Sequence, residues 1–268
     1  MISAGVLGSP ISHSLSPLLH NMIYEILGID GTYMAYEVPS GGLRHFLVDE
    51  GSSLNCLSLT MPLKEEALSI ADSISDISRQ MQSGNTLHKV DGFWHLTSTD
   101  VEGFSHALNF NKRDAKGNVL VIGAGATARA VIAACDGVSD TITVVSRNSD
   151  REVAIRNSGP RSDISFTSWD STINFEDFEL IVNTTPGNTA AVFADQIQSA
   201  SSAFFEVLYN PWPTQLLTQW RKVGGFGIDG LDLLIHQAIS QASIFTGQSI
   251  DRESIAKLLR AAGEKALS

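Results

Sequence analysis

Cysteine is scarce, two in 268 residues, and two thiols cannot build the disulfide framework of a small secreted scaffold. Cys56 and Cys135 stand far apart in the apolar contexts NCLSLT and VIAACDG, which suits reduced core thiols. Basic charge is also in deficit: 18 Lys and Arg against 29 Asp and Glu leave a formal charge of −11. A surface of that sign repels phosphate backbones and anionic lipid, which argues against nucleic acid and membrane as partners. Long apolar runs are missing, none approaching the ~18 residues of a membrane span. No Lys, Arg, Asp or Glu precedes Glu25, and Ser, His and Pro interrupt the apolar residues there, so the basic and apolar regions of a signal peptide are both lacking. A cytoplasmic protein is expected. Long-period repeats and low-complexity tracts are absent too, which removes solenoids and disordered tails from consideration.

What is present is ordinary globular composition, 43% hydrophobic with 22 Gly and 8 Pro, in a length that suits two modest domains. Strand-like runs at 2–7, 32–38 and 55–60 alternate with helical patterns, and a second series follows at 118–122, 141–145, 180–183 and 203–207. Such alternation predicts an α/β fold with mostly parallel sheets. In the helix predicted from Ser16 to Gly28, Ser16 reads as N-cap, Pro17 as the first helical residue and Gly28 as the C-terminal stop. Leu19, Met22, Ile23, Ile26 and Leu27 would form its buried face. Asp91-Gly92 predicts a hairpin turn, a helix containing Phe104 and Leu108 follows, and the domain boundary is placed near residue 101. After Gly230 the pattern predicts two more helices.

The stretch NVLVIGAGATARAVIAAC reads as strand, Gly-rich turn and helix start, the context a dinucleotide-binding fingerprint requires. Gly123 and Gly125 let the backbone turn and approach a pyrophosphate, which the helix N-terminus then meets. The last glycine of the usual pattern is replaced by the small run Ala126, Thr127, Ala128. At the end of the next strand, where NAD-binding units carry an acid for the ribose, stand Ser146, Arg147 and Asn148. Arg147 can pair with a 2′-phosphate and stack on adenine, so NADP is the expected cofactor. A Rossmann domain over 102–230 is therefore predicted.

A nicotinamide supplies hydride but no proton, so the first half must carry an acid. The strand LSLT runs into Met61-Pro62-Leu63-Lys64, and Asp100 closes LTSTD. An amine beside a carboxylate can polarise a carbonyl, stabilise an alkoxide and donate a proton. Lys64 and Asp100 are the candidate catalytic pair, although a lysine followed by Glu65 and Glu66 is, by composition alone, more often a solvated helix-start residue.

Together GSPISHSLSPLLHN, LTMPLKEEA, GNTL, STD, GAGATARA, SRN, NTT and DGLDLLIHQA, in that order, resemble the shikimate dehydrogenase family over nearly the whole chain. The resemblance implies NADP-dependent, reversible reduction of 3-dehydroshikimate to shikimate, in a substrate domain over 1–101 joined by helices of 231–268, with a cleft between it and the Rossmann domain. It implies that Ser14 and Ser16 bind the substrate carboxylate, that Thr60, Asn85, Asp100 and Gln237 bind ring hydroxyls, that Tyr209 lies on the substrate side, and that Lys64 is the acid/base. It assigns Gly123, Ala124, Gly125, Ala126 and Thr127 to the pyrophosphate, Ser146, Arg147 and Asn148 to the adenosine phosphate, and Thr184, Leu208 and Gly230 to the nicotinamide side. A monomer or homodimer is expected.

The chain departs from the family pattern at Ser58 and Ser98, where asparagines often occur, and at SRN, where asparagine-arginine-threonine is usual. Shorter hydroxyls at 58 and 98 bear on substrate affinity and leave the proposed acid in place. His13, His20 and His236 have no metal-ligand spacing, and no metal is predicted. Two alternatives stand beside the leading reading: an NAD-dependent quinate/shikimate dehydrogenase, and a catalytically silent NADP-binding sensor.

Overall fold

Each of the two strand series forms its own sheet. The computed structural model describes residues 1–147 and 149–268, which divide into two compact units, Met1–Gly103 with Leu234–Ser268, and Phe104–Leu233. Asn148, expected at the adenosine phosphate, lies outside the described residues.

In the first unit the strands are β1 (Ile2–Gly8), β2 (Gly31–Glu37), β3 (Cys56–Leu59), β4 (Ser73–Ile74), β5 (Thr86–Val90) and β6 (Phe93–Thr97), in the order β2-β1-β3-β5-β6-β4. β1 lies parallel to both β2 and β3, whereas β5 is antiparallel to β3 and β6. The β5–β6 pairing follows from the turn: Asp91 (φ 52°) and Gly92 (φ 85°) both take positive φ, the two-residue geometry that joins antiparallel strands and is too short for a parallel crossover. Helices α1 (Ser16–Leu27), α2 (Leu43–Val48), α3 (Leu63–Glu66) and α4 (Asp76–Met81) fall between these strands, and α5 (Asp100–Phe110) follows them. Leu7, Leu43, Leu57, Leu59, Leu63, Leu87 and Leu96 pack in one core of this unit.

Two expectations for α1 are corrected. Its N-cap position is held by Leu15, with no capping side chain, because the Ser14 hydroxyl accepts the Ser16 N–H at 3.3 Å and Ser16 itself turns inward, buried. The buried stripe is Ser16, Leu19, His20, Ile23 and Tyr24, while Ile26 is exposed. Apolar spacing misplaced that face because His20, stacked on Tyr33 with ring centroids 4.1 Å apart, is accepted into the core. Gly28 ends the helix as expected, left-handed at φ 64°.

The second unit contains β7 (Asn118–Ile122), β8 (Thr141–Ser146), β9 (Ile164–Ser168), β10 (Leu180–Asn183), β11 (Ala203–Glu206) and β12 (Phe226–Ile228), with helices α6 (Ala126–Cys135), α7 (Glu152–Ser158) and α8 (Gln215–Lys222). Its strand order is β12-β11-β10-β7-β8-β9, and every pairing is parallel. Alternate residues of β7 serve opposite faces: Val119 and Val121 enter one core with Ala128 and Ile132 of α6, Leu120 and Ile122 the other with Phe204 and Trp220. A strand covered on both faces reads as an unbroken apolar run, as NVLVI does. The order reverses between β7 and β10, the switch point where doubly wound sheets open a crevice at the carboxyl ends of their strands.

The last helices are α9 (Gly230–Thr246) and α10 (Arg252–Leu267). The division between the units falls within α5 and within α9, so the first unit is assembled from both ends of the chain.

Candidate active site

Lys64 enters the first unit on α3, directly after Leu63, which is fully buried and anchors the turn. Its Nζ donates to Asp100 Oδ2 at 2.6 Å, and the two side chains are 15% and 10% exposed, so this is no solvated helix-start lysine. Glu66 is turned to another use: its carboxylate accepts the N–H groups of Gly41 (2.8 Å) and Leu43 (3.0 Å), capping the start of α2 where a negative charge is favoured.

Asp100 is held from its other oxygen. Asn85, buried, donates Nδ2 to Asp100 Oδ1 at 2.8 Å, with Thr99 Oγ1 at 3.1 Å and Gln237 Oε1 at 3.2 Å also within reach. Asn85 Oδ1 accepts the Thr99 N–H at 2.8 Å and the Thr86 hydroxyl at 2.7 Å. Since a backbone N–H can only donate, the amide's polarity is fixed and its NH2 faces the carboxylate. The structure therefore gathers Lys64, Asp100, Asn85 and Gln237 into one largely buried polar cluster.

Thr60 sits at the end of β3, its N–H donated to Leu7 O at 2.9 Å. The neighbouring loop is tied to it by the Ser9 N–H to Met61 O bond at 3.0 Å, and that loop leads to Ser14 and Ser16. Gly8 is required here, since a Cβ would lie 2.3 Å from Thr60 Cγ2.

Behind Asn85 lies a layer that sequence reasoning missed. Gln241, on α9 and fully buried, donates to Asn85 O and to Thr86 Oγ1, both at 3.0 Å. Its Oε1 accepts the Ser58 hydroxyl at 2.7 Å, Ser58 in turn accepts the Tyr33 hydroxyl at 2.5 Å, and His20 Nε2 lies 3.3 Å away. Ser58 is thus committed to Tyr33 and Gln241. Burial without a countercharge lowers the His20 pKa to about 3, so the ring is neutral and Nε2–H is the donor. The only sequence signal for Gln241 is its place one turn after Gln237 in the helix predicted beyond Gly230.

In the second unit Gly123 follows β7 with φ 112°, and a Cβ there would meet Thr184 Oγ1 at 2.5 Å. Thr184, following β10, donates that hydroxyl to Ile122 O at 2.9 Å, so Gly123 and Thr184 meet at the switch point. Gly125 is the N-cap of α6, no side chain caps the helix and no acid occupies its first turn. A Cβ at Gly125 would meet nothing within 4 Å. The first helical bond is donated by Arg129 to Gly125 O at 3.1 Å, so the amides of Ala126, Thr127 and Ala128 are the ones a helix start leaves without an intrahelical acceptor. These residues fit a pyrophosphate: an open helix N-terminus with glycines where close approach demands them. Ser146 ends β8 and Arg147 follows it, exposed.

Leu208 and Gly230 are brought together, the Gly230 N–H donating to Leu208 O at 3.2 Å. Tyr209, beside Leu208, belongs to this unit and not to the one holding Lys64. Among the described residues no group of three or more His, Cys, Asp or Glu is placed to hold a metal ion, and no helix is long and apolar enough to cross a membrane.

Residues 6–87 match the family model for the shikimate dehydrogenase substrate binding domain. The chain is 32% identical to the shikimate dehydrogenase (NADP(+)) of Leptospira interrogans serogroup Icterohaemorrhagiae serovar Lai, over 94% of this chain and 92% of that protein. It belongs to the shikimate dehydrogenase family. A Prochlorococcus marinus (strain AS9601) shikimate dehydrogenase (NADP(+)) is 33% identical over 90% of each chain. Among solved structures, the Mycobacterium tuberculosis shikimate dehydrogenase superposes with a TM-score of 0.87 at 35% identity, covering 98% of this chain and 100% of that one. The Thermus thermophilus shikimate 5-dehydrogenase, solved in complex with NADP(H) and shikimate, gives 0.85 at 28% identity, with 98% and 100% covered.

Proposed function

We propose that this family member is an NADP-dependent shikimate dehydrogenase of the cytoplasm, reducing 3-dehydroshikimate reversibly to shikimate on the route to aromatic amino acids. The observation that carries the reading is the Lys64–Asp100 pair, 2.6 Å apart and mostly buried within the Asn85 and Gln237 cluster. The named relatives and the open α6 N-terminus support NADP as cofactor.

Bound NADPH supplies a hydride. Lys64 supplies the proton: its ammonium, held by Asp100, polarises the ketone, stabilises the developing alkoxide and protonates it, and in the oxidation direction takes that proton back. Asp100 orients the amine and accepts from a ring hydroxyl; Thr60, Asn85 and Gln237 read the remaining hydroxyls. Ser14 and Ser16 hold the carboxylate with neutral donors, and Tyr209 lies on the substrate side. A substrate lacking one hydroxyl would strand buried partners, which gives such a site its selectivity. Gly123, Ala124, Gly125, Ala126 and Thr127 cradle the pyrophosphate, Ser146, Arg147 and Asn148 the adenosine phosphate, and Thr184, Leu208 and Gly230 the nicotinamide side. The Met1–Gly103 unit with its C-terminal helices serves as substrate domain and the Phe104–Leu233 unit as cofactor domain.

The test is reduced-cofactor absorbance with shikimate plus NADP and, separately, quinate plus NAD. Faster turnover of the first pair is expected. Faster turnover of the second would replace this reading with the quinate/shikimate enzyme, and tight binding of shikimate and NADP without turnover at any pH would make the protein a sensor.

A further inference from the structure

Glu206 ends β11 with no exposed surface, and among the described residues no cation pairs with it. Hydrogen bonds reach its carboxylate from three elements: Asn183 Nδ2 lies 3.1 and 2.9 Å from the two oxygens, the Thr214 hydroxyl reaches Oε2 at 2.7 Å, and the Leu208 N–H reaches Oε1 at 3.2 Å. None of these is free to reverse. Asn183 Oδ1 already accepts the N–H and hydroxyl of Thr185 at 3.2 and 2.8 Å, so its NH2 must face Glu206. Thr214 Oγ1 accepts the Leu217 N–H at 3.2 Å as N-cap of α8, so its proton goes to the carboxylate. The bonds match an ionised carboxylate and offer no acceptor to a protonated one. Desolvation pushes the carboxyl above the usual glutamate range, and the donors pull against it.

A buried anion with no countercharge is costly, and its two oxygens do what no neutral side chain of that size can: they accept from the end of β10, the loop after β11 and the start of α8 at once. Leu208 is thereby gripped at both ends, its N–H by Glu206 and its carbonyl by the Gly230 N–H. Gly230 has no room to move inward, since a Cβ there would lie 2.4 Å from both Leu208 C and Val207 O. We propose that Glu206 is a positioning residue for the cofactor, its carboxylate setting the Leu208 backbone and, through it, the start of α9 for the nicotinamide half of the dinucleotide. The inference rests on the cofactor assignment proposed above.

Calorimetric titration of the full chain with NADP+ and with adenosine 2′,5′-bisphosphate, which carries only the adenosine half, separates this role from general structural support. Glu206→Gln sets an NH2 among donors and is expected to weaken NADP+ about 10-fold while leaving the bisphosphate within about 2-fold of wild type. Unchanged affinity for both ligands, or equal weakening of both, overturns the proposal. Should Glu206→Gln not accumulate as folded protein, Thr214→Val is expected to weaken NADP+ about 3-fold with the bisphosphate unaffected, and Thr214→Ser to behave as wild type. Equal NADP+ affinity in those two variants overturns it as well. A wild-type chain that binds neither ligand rejects the cofactor assignment itself, an outcome distinct from the others.

Discussion

Gln241 donates its side-chain amide to the Thr86 hydroxyl at 3.0 Å, which leaves the hydroxyl's own proton to Asn85 Oδ1, 2.7 Å away. The direction of that bond is therefore imposed from α9, and Asn85 presents its NH2 to Asp100 with both of its lone pairs occupied. Thr86→Val removes the hydroxyl at nearly constant volume. It is expected to lower kcat for shikimate oxidation about 3- to 10-fold with little change in the KM for NADP, whereas Thr86→Ser stays close to wild type. Steady-state kinetics beside thermal melts decide the point, because activity that follows melting temperature in place of the hydroxyl would contradict it.

Lys64 is expected to matter to the reaction far more than to binding. Lys64→Met should reduce kcat by about 10² to 10⁴-fold with a much smaller change in KM, since the lost interaction acts on the developing alkoxide. An unchanged kcat would remove Lys64 from the mechanism.

Arg147 follows β8, exposed, with no acid at the strand end. Arg147→Ala should weaken NADP by about 10-fold or more and NAD by no more than about 2-fold, as expected for a cation facing a 2′-phosphate. Equal losses measured by titration with the two cofactors would rule that role out.

His20 gives stability a pH dependence. Its pKa, lowered by burial from 6.5 to about 3, means that below pH 6.5 the unfolded chain binds a proton the folded chain refuses, so stability falls as the pH drops from about 6.5 toward 3. One such proton contributes a slope of about 1.4 kcal/mol per pH unit. Urea denaturation from pH 6 to 4 should show His20→Gln with a slope shallower by about that amount, and parallel slopes would refute the assignment.

Much of the architecture was legible because its signals are local. The strand NVLVI, the glycines at 123 and 125, and Asp91-Gly92 each carry their geometry within a few residues, and the structure shows the expected elements there. Lys64 and Asp100 were found as residues closing strand-like segments. What stayed hidden depends on partners distant in sequence. Glu206 is one acid in AFFEVLYN, and nothing beside it announces that Asn183, 23 residues earlier, and Thr214, 8 residues later, will bury it. Gln241 meets Ser58 across 183 positions, so its helix position alone reads as an ordinary polar residue. Apolar spacing omits His20 and Tyr24 from the α1 face because residue-type hydropathy does not foresee a stacked ring or an amide waiting for an imidazole. Short elements such as β4 and β12, two and three residues long, hold too few residues for any periodicity to register.

Because the first unit draws on both ends of the chain, its assembly has an order imposed by synthesis. The ribosome delivers Asn85, Ser58 and His20 long before Gln241, and at ~5–20 residues per second their amide partner follows many seconds later. Until then the nascent first sheet must keep those polar groups hydrated, and a fragment truncated ahead of α9 would leave them permanently so.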